Sequence, residues 1–91
     1  MSVKIFCNIN ASQEKQNIYL VGEDGSLRHL DTVAPDDVGH TVVRFALENK
    51  AEDVLLGGGS ETYLERFVDD IYTIHAFMYT NNNIKVHILG E

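Results

Sequence analysis

The stretch Asp53-Val54-Leu55-Leu56-Gly57-Gly58-Gly59-Ser60 decides how this chain folds. Its apolar run is too short for a helix and ends in three glycines. It reads as a strand covered on both faces, as strands of parallel sheets are. Ser60 reads as the N-cap of a helix, since its hydroxyl can accept a free amide of the first turn. Glu61 suits the positive end of the helix dipole. Leu64, Phe67, Val68, Ile71, Ile74, His75 and Met78 then recur at the 3.6-residue period, with Glu65, Arg66, Asp69 and Asp70 mainly on the other side. Asn81-Asn82-Asn83 ends that helix as a turn. Ile84, Val86 and Ile88 alternate with Lys85, His87 and Leu89 in a last strand.

Working back from Asp53, Val38, Val42, Phe45 and Ala46 mark an amphipathic helix to about Lys50, with Asp36 or Asp37 as its N-cap. Pro35 stops the strand before it, residues 27–33. Residues 17–22 (NIYLVG) form another strand, joined to that one by Glu23-Asp24-Gly25-Ser26. Asp-Gly between two strand-like runs signals a hairpin, because both residues tolerate positive φ. Residues 10–16 are polar and read as a turn. Val3, Ile5, Cys7 and Ile9 alternate with Lys4, Phe6 and Asn8 as a first strand with one buried face. The order is strand, strand, strand, helix, strand, helix, strand. An antiparallel meander followed by right-handed crossovers gives an α/β domain over residues 1–91, built on one mixed sheet.

Composition narrows the function classes. The chain has 91 residues, 44% hydrophobic and 23% charged, which is globular and holds one core. Lys and Arg number 7 against 14 Asp and Glu, a net charge of −7, so non-specific binding to a phosphate backbone is not expected. No apolar run approaches the roughly 18 residues that span a membrane, and the first residues do not read as a secretory signal. Cys7, the single cysteine, has no internal disulfide partner, which suits a cytoplasmic location.

The first three strands carry a resemblance. Asn8-Ile9-Asn10-Ala11-Ser12 is followed by NIYLVG and then Glu23-Asp24-Gly25-Ser26-Leu27, and later comes Leu55-Leu56-Gly57-Gly58-Gly59-Ser60. This is similar to the ribonuclease H-like fold, shared by the sugar kinase, Hsp70 and actin superfamily. Kinases of that superfamily open with a strand ending in Asp-x-Gly-x-Ser/Thr and carry a Gly-Gly phosphate loop. The nucleases need acids at the end of the first strand, in the first helix and near the fourth strand, where they hold catalytic metal. Here the first-strand positions are Asn8 and Asn10, and a neutral amide oxygen is a poor substitute for a carboxylate at a Mg²⁺ site. Glu48 suits the helix acid, but the fourth strand ends in glycines. The resemblance implies a single degenerate copy with no catalytic residues, no cofactor and no metal, of a kind that suits a phage or mobile-element accessory protein. A metal-dependent nuclease is the remaining enzymatic alternative.

Two groups of residues are candidates for function. Gly57, Gly58, Gly59 and Ser60 would let a phosphate or nucleotide approach the amides of a helix N-terminus. Asn8, Asn10 and Ser12 would face them across the carboxyl edge of the sheet. The same residues also make a tight strand-to-helix turn and an Asx-turn. Tyr63, Tyr72, Phe77, Met78 and Tyr79 give the second helix more aromatic surface than one core stripe needs. They point to self-association as a homodimer or to another protein partner. The acids Glu48, Glu52, Asp53, Glu61, Glu65, Asp69 and Asp70 suit a solvated face or a basic partner. His29, His40, His75 and His87 have no ligand spacing. His75 reads as a hydrogen-bonded core or interface residue, and Cys7 as a small hydrophobe.

Overall fold

The computed structural model describes residues 2–89. Its elements are β1 (Lys4–Asn8), β2 (Gln16–Val21), β3 (Leu27–Val33), a 3-10 turn (Pro35–Asp37), α1 (Val38–Glu48), β4 (Asp53–Gly57), α2 (Glu61–Phe77) and β5 (Lys85–Ile88). The strands lie in the order β3-β2-β1-β4-β5. β2 is antiparallel to β1 and to β3, whereas β4 is parallel to β1 and to β5. The protein is thus mixed α/β, a five-stranded mixed sheet with two helices.

One side of the sheet makes the core. Ile5 and Cys7 of β1, Ile18 of β2, and Val54 and Leu56 of β4 are buried against Val38, Val42, Val43 and Ala46 of α1 and Leu64, Phe67 and Ile71 of α2. Each of the larger side chains contributes about 1.5–3 kcal/mol by leaving water. Residues of the opposite parity, Phe6, Tyr19 and Leu55, are only half-buried. The expectation that β4 is covered on both faces is therefore corrected. Both helices pack on the Val54 and Leu56 side, and two adjacent leucines cannot reveal which faces are roofed.

Three local readings are also corrected. The 3-10 turn sets Asp37 in a helical conformation (φ −99°, ψ −3°), so its carboxylate makes no capping bond to α1, and neither does that of Asp36. In the β2–β3 hairpin only Gly25 has positive φ, at 83°. The Gly25 amide bonds to the Gly22 carbonyl at 3.0 Å, so Glu23 and Asp24 form an ordinary turn closed by a left-handed glycine. The loop after β1 is not wholly polar surface: Gln16 is buried and opens β2. Its side chain accepts from the Asn10 amide at 2.5 Å and donates to the carbonyls of Asn10 at 3.1 Å and Gln13 at 3.2 Å.

Candidate functional site

The parallel pairing of β1 with β4 sets Asn8 opposite Gly57, and the Ile9 amide bonds to the Gly57 carbonyl at 2.7 Å. The first-strand loop and the glycine loop therefore leave the same edge of the sheet side by side. They are packed tightly there. Gly58 has φ +98°, and a Cβ on it would strike Asn8 Oδ1 and lie 2.5 Å from the Ile9 carbonyl oxygen. A Cβ on Gly59 would lie 3.2 Å from the Tyr63 ring and 3.4 Å from Leu64 Cδ2. On Gly57 it would lie 3.3 Å from Phe6.

The polar atoms of the two loops have partners of their own. Asn10 Oδ1 accepts from the Ser12 amide at 3.0 Å and from Ser12 Oγ at 2.7 Å, an Asx-turn. Ser60 caps α2, its Oγ accepting from the Tyr63 amide at 3.2 Å. Among the described residues, no three His, Cys, Asp or Glu side chains gather where they could hold a metal ion.

The aromatic residues of α2 divide. Tyr63 packs edge-on against Phe67 with centroids 5.3 Å apart. Tyr72 reaches across to β5, where its Oη accepts from the Val86 amide at 2.9 Å. Phe77, Met78 and Tyr79 are 71%, 52% and 90% exposed. Tyr79 also has φ +49°, a left-handed conformation rare for a bulky residue.

Of these three, Met78 lines a groove between the helices. At Gly39, where a Cβ would lie 2.7 Å from Ile74 Cδ1, the helices touch. Beyond it a groove of about 390 Å³ opens, floored by Val43, Leu47, Ile74 and Met78 and rimmed by His40, Arg44 and Glu48. A cavity of about 290 Å³ at the Gly39 end, lined by Asp36, Asp70 and Thr73, shares His40 and Ile74 with it. Arg66 bonds Asp36 at 3.3 Å.

Two buried groups complete the inventory. Burial pushes the Cys7 thiol up to about 12, so it stays protonated and acts as a small hydrophobe. His75, expected to be hydrogen-bonded, instead keeps its Nε2 buried without a partner. Sequence reasoning passes over Gln16, Gly39, and the pair Phe6 and Tyr19. Phe6 and Tyr19 could have been found as aromatics at the outward positions of alternating strands.

Neither a known protein-family model nor a curated protein matches this chain. No helix among the described residues is long and apolar enough to cross a membrane.

Proposed function

We propose that the protein is a non-catalytic ribonuclease H-like module that works by binding another protein through its helical face. The succession of elements and the strand order β3-β2-β1-β4-β5 support the fold reading. Against catalysis stand Asn8 and Asn10, neutral amides at the end of β1 where such a nuclease or kinase keeps an acid. Incubation with Mg²⁺ or Mn²⁺ and either single-stranded oligonucleotides or ATP should give no cleavage or hydrolysis above blank.

One observation carries the binding reading. Tyr79 holds a left-handed conformation that costs about 1–2 kcal/mol, while its side chain is 90% exposed and gives the core nothing in return. Glycine there would stabilise the end of α2. A large aromatic that weakens its own helix end is accounted for by what it touches outside the chain. Its neighbour in sequence, Met78, lines the apolar groove between the helices, so a partner seated there would meet the end of α2 as well. Glu48 and Arg44 rim the groove, and Asp70 lies at its Gly39 end beside Asp36, which Arg66 already holds, so the fitting partner is an apolar helix whose basic residues reach Glu48 and Asp70.

A designed helix of leucines and lysines serves as the probe, read by fluorescence anisotropy. Binding should weaken with added salt and weaken several-fold in Tyr79→Gly, while that variant melts at a higher temperature. Loss of stability in Tyr79→Gly, or binding indifferent to it, would overturn the reading.

The adjacency of the Asn8 and Gly58 loops favours a second reading, a phosphate or nucleotide site. Thermal melting with ATP, ADP and orthophosphate separates the two. A concentration-dependent rise in melting temperature would establish that site, and no rise would remove it.

A further inference from the structure

The sheet has a second face that no helix among the described residues covers, and the strand register lays it out in three cross-sheet rungs. The middle rung reads His29, Tyr19, Phe6, Leu55, His87 from β3 to β5. Below it run Leu27, Val21, Lys4, Asp53 and Lys85, and above it Thr32, Asn17, Asn8 and Gly57. We propose that this face is a self-association surface on which a second copy of the chain packs sheet to sheet.

Parallel strands are normally covered on both faces, yet β1 and β4 present Phe6 and Leu55 only half-buried. The side chains of this layer are also ordered against one another. Phe6 stacks on Tyr19 with centroids 6.0 Å apart and planes at 26°, and Tyr19 meets His29 edge-on at 5.4 Å. His29 is itself held by Asn17 at 3.1 Å and Thr32 at 2.9 Å. His87 is held by Asp53 at 2.9 Å. Rings leaning on one another present a firm, ridged layer for packing. They do not lie flat, as a platform for stacked bases does.

Although acids outnumber bases two to one, Asp53 is the one carboxylate that the strands place on this face, beside Lys4 and Lys85. The other strand acid, Asp31, lies on the helix side near Arg44. A two-fold axis through the middle rung sets each charged rung against the partner's Thr32, Asn17 and Asn8, so lysine does not meet lysine. Sheets pack about 10 Å apart, as do helices on sheets, so the acidic helical layers end roughly 30 Å apart. That is about three Debye lengths at 0.1 M salt, and their repulsion is screened. The net charge that argues against many modes of self-association is therefore tolerated in this one.

Area sets the strength. Five strands at about 4.8 Å spacing and roughly five residues long offer a footprint of about 400 Å² per copy, about 800 Å² for the pair, which is less than the roughly 1,000 Å² of a stable complex and fits a weak, transient one. A dimer that forms only at high concentration, with a dissociation constant of roughly 100 µM or weaker, is expected.

Sedimentation equilibrium from 5 to 500 µM tests the proposal on the intact chain. The wild type should pass from monomer to dimer. Leu55→Glu should stay monomeric with an unchanged circular dichroism spectrum, and Tyr79→Gly should dimerise as the wild type does. A wild type monomeric throughout would overturn the proposal. So would a dimer that survives Leu55→Glu but is lost in Tyr79→Gly, since its seam would then lie on the helices. Because Leu55 lies on the open sheet face and Tyr79 follows α2, failure here leaves the helical-face reading standing, and the converse holds. Leu55→Glu unfolding would be read through Tyr19→Lys, also on this face, for which the same monomeric outcome is required. Binding of an oligothymidylate to the wild type that is lost in Tyr19→Lys would make the face a nucleic-acid platform and overturn the proposal too.

Discussion

The Tyr72 hydroxyl accepts a 2.9 Å hydrogen bond from the backbone amide of Val86, joining the exposed side of α2 to the outer edge of β5. β5 is an edge strand, and its alternate amides point away from β4. An unpaired edge amide is a template for another strand, so this contact also guards the sheet.

Tyr72→Phe keeps the ring and removes the acceptor. It should lower stability by about 1 kcal/mol, equivalent to a fall of roughly 4–8 °C in melting temperature. Amide exchange should quicken at Val86 while Val54, inside the sheet, keeps its rate. Unchanged exchange at Val86 would show that the bond protects nothing.

Gly58 and Gly25 make a matched pair. Both have positive φ, but a Cβ on Gly58 would meet Asn8 and the Ile9 carbonyl, whereas the space around Gly25 is open. Gly25→Ala should lose about 1 kcal/mol, the conformational penalty alone. Gly58→Ala adds a backbone clash and should lose ~3 kcal/mol or more by urea denaturation. Equal losses would mean that the two loops are not pressed together.

Gln16 holds the β1–β2 loop from inside. Gln16→Leu fills the space but removes the side-chain partner of the Asn10 amide and of the Gln13 carbonyl, the Asn10 carbonyl keeping its bond from the Gln13 amide, and should cost about 2 kcal/mol. Gln16→Glu should be better tolerated at low pH, where the protonated acid can accept and donate. A leucine variant as stable as the wild type would remove the clamp from the account.

The Cys7 thiol gives a pH dependence in the alkaline range. Its folded-state value of about 12 lies above the ordinary 9.0, so the folded chain keeps a proton that the unfolded chain releases. Its share of stability is full below pH 9 and falls as pH climbs from 9 towards 12, by at most ~4 kcal/mol. Cys7→Ala, less stable at neutral pH, should show a shallower alkaline decline. An identical slope in both proteins would locate the alkaline sensitivity elsewhere.

Much of the architecture is legible in sequence because it rests on short-range signals. Alternation at Val3, Ile5, Cys7 and Ile9 marks β1, Asp24-Gly25 marks the hairpin, and Ser60 marks the start of α2, where its hydroxyl does cap the first turn. What stays hidden depends on partners distant along the chain. Leu55 and Leu56 look alike until two helices choose the Leu56 side. Tyr72 and Phe77 are both aromatic residues of α2, yet only Tyr72 has a β5 amide within reach. The adjacency of Asn8 and Gly57 is likewise readable as topology, but the closeness that accounts for Gly58 is set by the Ile9 carbonyl.

The position of β1 between β2 and β4 has a consequence for synthesis. The meander emerges from the ribosome before β4, and Ile5 and Cys7 then have a neighbour on one side only. Lys4 waits for Asp53, and the side of β1 that will receive β4 stays bare while all of α1 is translated. During that interval a nascent chain exposes a sticky strand, and crowded polysomes are where mispairing between copies would begin.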